Sequence, residues 1–322
     1  MAKYSIPVID VEVLLSRESV LADSELEKLH SACQDWGFFQ VVNHGVSSLL
    51  IEKLKSEIHN FFHLPFEEKR KLQQEPGHVD GFRQHLAVSD DQKTDWSDFF
   101  FITAQPTHLR NPQFFARIPF PLRKALEAYS SGLKTLTMIL LGKMAKALKM
   151  DADEMEELFT DCLQRMKMNY YPPCPKPQQV LGLLPHTDAG ALSIVLQINE
   201  TEGLQIRKDG KWVPVKPIPG ALLVNIGDMI EILSNGAYRS MEHRVIINPT
   251  MERLSIATFH SMNPDAEFGP ALSLIDPTHQ PALFRRETVE NYFRNLFAPK
   301  LNGKTSNLDF MKIENGRGDQ SS

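Results

Sequence analysis

Along the first half of the chain, apolar residues recur at the three- and four-residue spacing of helices. Along the second half they fall in short runs between turn residues. Ile6-Pro7-Val8-Ile9-Asp10 alternates weakly and predicts a short first strand. Ser24-Glu25-Leu26-Glu27 has the form of a capping box. Leu26, Leu29, Cys33 and Trp36 follow at helical spacing, so a helix is expected from Ser24 to Gly37. Residues 38–42, dense in β-formers, predict a strand. Leu50, Leu54, Ile58 and Phe61 mark a second amphipathic helix, where His59 and His63 stand four apart. With no third ligand nearby in sequence, that histidine pair reads as a partly exposed helix face rather than a metal site. Pro65 opens a short helix over 66–72, whose Glu67, Glu68, Lys69, Arg70 and Lys71 are expected to be a solvated face.

From 73 to 121, Gly77, Gly81, Pro106, Pro112 and Pro119 predict loop, with Trp96, Phe99, Phe100 and Phe101 available to cover a site or to pack as satellite core. A long helix is expected from Pro121 to about Met150. Its buried stripe is Leu122, Leu126, Tyr129, Leu133, Leu136 and Leu140, with Met138, Met144 and Met150 in the same core. A short helix over 154–159 follows. Strands are expected at 191–197, 204–206, 221–224, 244–247 and 254–259, separated by Asp209-Gly210, Pro219-Gly220, Asn235-Gly236 and Asn248-Pro249. Many short strands after a helical half predict a mixed α and β fold: a double-stranded β-helix, or jelly roll, braced by N-terminal and central helices. The expected organisation is a helical region at 1–110, bracing helices at 111–160, the roll at 161–264, and a C-terminal helix with a polar, frayed tail at 265–322.

Composition narrows the function. Lys and Arg number 35 against 40 Asp and Glu, a net charge of −5 that argues against a nucleic-acid or anionic-membrane surface. Three cysteines (Cys33, Cys162 and Cys174) do not make a disulfide framework and point to a reducing compartment. There is no apolar signal core, and the most apolar run, 133–148, is broken by three lysines, so a cytoplasmic protein is expected.

The chemistry concentrates at His186-Thr187-Asp188, answered 55 residues after Asp188 by His243. Two imidazoles and a carboxylate fill one face of an octahedral metal and leave the other open, the facial triad of non-haem Fe(II) oxygenases. Residues two apart on a strand share a face, which suits His186 and Asp188. Ten residues beyond His243 comes Arg253-Leu254-Ser255. An arginine fork beside a hydroxyl suits bidentate capture of a carboxylate, and so a cosubstrate that is both chelator and acid. A zinc hydrolase would also take two histidines and a carboxylate, but needs neither Arg253 nor Ser255. His44, a turn residue after a strand, reads as structural. Cys174, between prolines, has no neighbour to activate it.

These motifs resemble the plant 2-oxoglutarate- and Fe(II)-dependent dioxygenases. So do Trp36-Gly37-Phe38-Phe39-Gln40-Val41-Val42-Asn43-His44-Gly45, the run from Asn169 to Cys174, Asn225-Ile226-Gly227-Asp228 and Ser234-Asn235-Gly236. Within that family the runs from Ser89 to Asp98, Arg253 to His260 and Lys300 to Lys304 are most similar to the branch of senescence-related dioxygenases and opiate-alkaloid O-demethylases. The resemblance implies Fe(II) held by His186, Asp188 and His243, with 2-oxoglutarate on Arg253, Ser255, Asn169 and Tyr171. It implies O2 as oxidant and ascorbate as reductant. Oxidative decarboxylation to succinate and CO2 would then be coupled to hydroxylation, or to O-demethylation with loss of formaldehyde. Many relatives carry a longer N-terminal leader, and activity is expected without one.

Arg253, Ser255, Ala257, Phe259 and Ser261 alternate along one strand and should face inward, the last three towards the substrate. Lys167 shares the parity of Asn169 and Tyr171 and is expected either to enter the pocket or to snorkel outward. An otherwise uncharged wall disfavours a free amino acid. The expected substrate is a multi-ring aromatic plant metabolite, a methoxylated alkaloid or a flavonoid, acted on by a monomer. The alternatives are an enzyme like 1-aminocyclopropane-1-carboxylate oxidase and a catalytically silent small-molecule binder on the same fold.

Overall fold

The computed structural model describes residues 5–86, 94–297 and 308–313. Residues 89–93, 300–304 and the tail after Ile313 lie outside the described residues. The main sheet has nine strands, and eight of them run in the order β1-β2-β11-β8-β13-β5-β4-β3. They are β1 (Val8–Asp10), β2 (Phe38–Val42), β3 (Gly81–Leu86), β4 (Thr94–Gln105), β5 (Leu163–Tyr171), β8 (Leu192–Gln197), β11 (Leu222–Ile226) and β13 (Arg253–Ser261). The ninth, β6 (Val180–Leu181), pairs with β4. A smaller sheet runs β10-β9-β12-β7, built from β7 (Leu183–His186), β9 (Leu204–Lys208), β10 (Lys211–Pro214) and β12 (His243–Val245). The two sheets are the halves of the jelly roll.

Helices cover the outer face of the main sheet. They are α1 (Val11–Leu14), α2 (Ser19–Asp35), α3 (Ser48–Phe62), α4 (Phe66–Arg70), α5 (Pro112–Arg117), α6 (Phe120–Leu148) and α7 (Ala152–Phe159); α8 (Asp228–Leu233) and α9 (Val289–Phe297) follow later in the chain, and α9 reaches the space between the sheets. The predicted stripe of α6 is buried throughout, and it packs in one core with Ile58 and Phe61 of α3 and with Phe100, Met168, Ile194, Leu196, Leu254 and Ile256 from the sheet. The period-two alternation of the strands does the sorting. Leu254 and Ile256 enter the helical core, while Arg253, Ser255 and Ala257 face a cavity between the sheets. Among the described residues, no helix is long and apolar enough to cross a membrane.

Three expectations need correction. Helix α2 starts at Ser19, so Ser24 lies inside it and caps nothing. Glu25 instead accepts the Asp10 backbone N–H at 2.7 Å, a tertiary contact that overrides the local motif. Residues 73–121 are not mainly loop, because β3 and the twelve-residue β4 lie there. Their glycines and prolines bracket strands, and β4 is held on both sides, by β3 and β5. Lys69 is not on a solvated face. It is buried, donates to the Phe62 carbonyl at 2.9 Å, and lies 3.9 Å from Asp98.

Candidate metal and cosubstrate site

His186 ends β7 and His243 begins β12. The two are direct partners across that antiparallel pair, so their rings meet with centroids 4.3 Å apart. Asp188 reaches the same point from the turn after β7. His186 Nδ1–H donates to the Leu184 carbonyl at 2.8 Å and His243 Nδ1–H to the Met241 carbonyl at 3.1 Å. Each ring therefore turns its Nε2 lone pair towards Asp188 Oδ1, at 3.5 and 3.7 Å. Cis ligands about 2.1 Å from a metal stand about 3 Å apart, so this donor set fits a first-row divalent ion with little movement. The three ligand atoms lie within 4.8 Å of one another.

The carboxylate is held from behind. Asp188 Oδ2 accepts from Ser193 Oγ at 2.6 Å and Asn225 Nδ2 at 2.8 Å, which leaves Oδ1 for the metal. Burial alone would raise the Asp188 carboxyl. The neighbouring His243 and His186 and the Ser193 hydroxyl outweigh burial and hold the carboxyl well below the usual range. Burial, with the charge of His186, pushes His243 down to about 4, so it is a neutral donor near neutrality. Phe38 meets the His243 ring edge-on at 5.3 Å. The backbone behind the aspartate is close-packed: a Cβ on Gly227 would lie 2.2 Å from Gly190 O and 2.9 Å from Asp188 O. Thr187, between the two ligands, sends its hydroxyl to Asp228 at 3.2 Å.

Phe38 and Asn225 stood in motifs of the family resemblance without an assigned role, and Ser193 was not singled out. Their signal was the parity of strands β8, β11 and β2, which shows only once those strands are known to be neighbours.

The predicted clamp lies on adjacent strands. Register pairs Arg253 with Tyr171, Ser255 with Asn169, Ala257 with Lys167 and Phe259 with Arg165. Arg253 is buried. It donates to Ser255 Oγ and to Gln197 Oε1, both at 3.3 Å, shares a hydrogen bond with the Tyr171 hydroxyl, and lies 5.3 Å from the Tyr171 ring. Its Nε has no hydrogen-bond partner, and among the described residues no carboxylate lies within ion-pair distance. A buried guanidinium without a counter-ion is costly, and a carboxylate ligand would satisfy it. Burial keeps Tyr171 a neutral phenol, pushed up to about 12. Asn169 donates to the Lys167 carbonyl at 3.1 Å and lines the same cavity.

The cavity measures about 480 Å3 and opens beside the triad. Ala257, Phe259 and Ser261 line it, as the alternation requires, and Phe101 of β4 stacks near-parallel to Phe259 at 6.5 Å and 20°. Lys167 points inward, its Nζ 4.6 Å from the Phe99 ring centre, rather than snorkelling to the surface. The wall is less neutral than expected. Arg165 has the same parity and also enters it, half-buried and lowered by burial against the opposing charge of Asp80. Phe293 and Leu296 of α9 close the far side.

His44 is structural: its Nε2 bonds the Gly220 carbonyl at 3.0 Å. Cys174 is buried.

Residues 162–261 match the family described as the 2OG-Fe(II) oxygenase superfamily. Residues 6–118 match the N-terminal family described as non-haem dioxygenase in morphine synthesis. Among curated proteins the chain is 52% identical to Protein SRG1 of Arabidopsis thaliana, over 97% of this chain and 86% of that one. It is 51% identical to thebaine 6-O-demethylase of Papaver somniferum (96% and 85%) and 49% identical to oxoglutarate-dependent flavonoid 7-O-demethylase 1 of Ocimum basilicum (96% and 82%). The crystal structure of JOX2 in complex with 2OG, Fe and JA superposes with a TM-score of 0.83 at 36% identity, covering 96% of this chain and 89% of that one. These likenesses decide against the hydrolase and silent-binder readings. With a donor set that fits iron, and a buried, unpaired guanidinium on the same cavity, the chain belongs to the 2OG-Fe(II) oxygenase superfamily and is an Fe(II)- and 2-oxoglutarate-dependent dioxygenase.

Proposed function

We propose that the enzyme O-demethylates, or failing a methoxyl group hydroxylates, a multi-ring aromatic plant metabolite rich in oxygen acceptors, of the flavonoid kind. One observation carries this reading. A single strand, β13, presents the cosubstrate clamp at Arg253 and Ser255 and, on the same face, the ring-stacking wall of Ala257 and Phe259, opposed by Phe101. Relatives named for alkaloid and flavonoid O-demethylation support the reaction type. Lys167 and Arg165 favour the acceptor-rich ring over the protonated alkaloid. Both are donors on the wall, and a substrate ammonium beside them would be repelled, whereas a phenol or ring carbonyl accepts from them.

His186, Asp188 and His243 hold Fe(II), which with 2-oxoglutarate supplies the oxidation of an unactivated C–H bond. The chain's own part is positional. Arg253, Ser255 and Tyr171 fix the distal carboxylate of 2-oxoglutarate, and Asn169 borders the same site. Phe101 and Phe259 fix the plane of the substrate ring. Phe293 and Leu296 cover it, limiting water at the reacting carbon.

The test is a panel of methoxylated and unmethoxylated flavonoids and alkaloids, scored for succinate and formaldehyde. Equimolar succinate and formaldehyde from methoxylated flavonoids is expected. Succinate with no formaldehyde across the methoxylated set rejects demethylation. Preferred turnover of a small amino acid, as an enzyme like 1-aminocyclopropane-1-carboxylate oxidase would show, rejects the pocket reading itself.

A further inference from the structure

The histidine pair on α3, which sequence spacing alone left as an exposed helix face, acquires a third ligand in the fold. Glu252 arrives from the residue just before β13, 189 positions from His63. His59 Nε2 lies 3.7 Å from Glu252 Oε1 and His63 Nε2 lies 3.1 Å from Glu252 Oε2. The two nitrogens and a carboxylate oxygen lie within 4.8 Å of one another, the same spread as in the triad. The rings stack, with centroids 4.1 Å apart and planes 22° apart, so both Nε2 atoms are presented to one point.

Two further contacts orient the set. His63 Nδ1 hydrogen-bonds the His59 carbonyl at 2.7 Å, which turns the ring so that Nε2 meets Glu252 Oε2. The Tyr170 hydroxyl hydrogen-bonds Glu252, and the Tyr170 ring packs edge-on against His63 at 5.9 Å. A backbone carbonyl on one ligand and a hydroxyl on another are the outer contacts that metal-ligating residues use. Without a metal, His63 and Glu252 share a hydrogen bond, and a divalent cation bound by all three side chains would take its place.

We propose that His59, His63 and Glu252 form a second metal site that takes a divalent cation of the zinc class. Two imidazoles and a carboxylate suit Zn2+ and its neighbours, and the remaining positions are left to water. Magnesium and calcium, which prefer oxygen ligands, are disfavoured. The side chains of His59 and His63 are 52% and 42% exposed, so an aqueous ion reaches them directly. The site lies on the opposite face of the main sheet from the iron, because Tyr170 and Tyr171 alternate: Tyr170 faces Phe62 and His63, and Tyr171 faces the cavity.

The experiment counts metal. Enzyme loaded anaerobically with Fe(II) and 2-oxoglutarate is equilibrated with Zn2+, desalted and assayed for total metal. Wild type is expected to hold two equivalents, and His63→Ala and His59→Ala one each, with succinate formation before zinc addition unchanged. His186→Ala, which lacks the iron site, is expected to hold one, and His186→Ala combined with His63→Ala none. One equivalent in wild type overturns the proposal, and so does a second equivalent that survives in both single α3 variants. Circular dichroism on each variant separates a lost ligand from a lost fold, and the count stands whatever the organic substrate proves to be.

Discussion

Replacing Arg253 with lysine keeps the charge and removes the fork. A guanidinium offers five N–H donors. Here Ser255, Gln197 and Tyr171 engage three of them, and the two that remain are the number a bidentate carboxylate pair needs. A lysine ammonium has three donors spread about one nitrogen. It cannot serve Ser255, Gln197 and Tyr171 and also present two parallel N–H groups. Losing one charge-assisted hydrogen bond to 2-oxoglutarate costs about 1.5–3 kcal/mol, so its KM should rise about ten- to a hundredfold. The kcat at saturating cosubstrate should fall far less, because the triad is untouched. Steady-state succinate formation across a 2-oxoglutarate series measures both, with thermal melting to confirm the fold. Gly203→Ala gives an orthogonal check. Its Cβ would lie 2.9 Å from Arg253 Cδ and 2.8 Å from Ile246 O, so it displaces the fork without changing its chemistry and should shift KM the same way. A 2-oxoglutarate KM within twofold of wild type for Arg253→Lys would place the cosubstrate elsewhere.

Other outcomes follow from single contacts. Ser193→Ala and Asn225→Leu each remove a bond to Asp188 Oδ2 and should weaken iron affinity about ten- to a hundredfold; iron content at limiting metal checks this, and full loading would contradict it. His186→Ala should lose most of the iron with the circular dichroism spectrum intact, and full loading would remove His186 from the ligand set. Phe259→Ala should raise the KM for the aromatic substrate and leave that for 2-oxoglutarate alone; movement of both would mean the strand itself had shifted. His260 is fully buried and pushed by burial from the usual 6.5 down to about 4, so its contribution is complete above about pH 6.5 and is lost as pH falls towards 4. Urea unfolding should show about 2 kcal/mol less stability at pH 5 than at pH 7 from this residue, and His260→Asn should remove that increment; an unchanged slope in the variant would assign the acid sensitivity to other groups.

The triad was legible because its chemistry needs His186 and Asp188 two apart in the chain, and the same spacing marked Arg253 and Ser255 as the candidate clamp; Asn169 and Tyr171 came from the family resemblance, and register sets them opposite that pair. Helix α6 was legible because twenty-nine residues carry one stripe consistently. Strand β4 was hidden by the glycines and prolines on its flanks, although it alternates once folded, with Phe100, Ile102 and Ala104 in the helical core and Phe101 on the cavity. Arg165 was missed although it has the parity of Lys167, because the strand reading extended only from Lys167 to Tyr171. Here Asp80, 85 positions away, offsets the burial. Glu252 could not be assigned to His59 and His63 by spacing at all, since it lies nearly two hundred residues later, just before β13.

The antiparallel pairing of β13 with β5 has a further consequence. On the function proposed above, cosubstrate capture and substrate choice lie in sequence along one axis, like marks on a ruler. The clamp is at Arg253 and Ser255, and the selective end at Phe259 and Ser261 lies about 13–26 Å away at about 3.3 Å per residue. Changes at the selective end, including the paired positions 165 and 167, can retune which ring is accepted while the capture end keeps its geometry. On that reading, two properties that in many enzymes share the same side chains are addressed by separate positions on a single ladder, so a new substrate preference needs no new cosubstrate site.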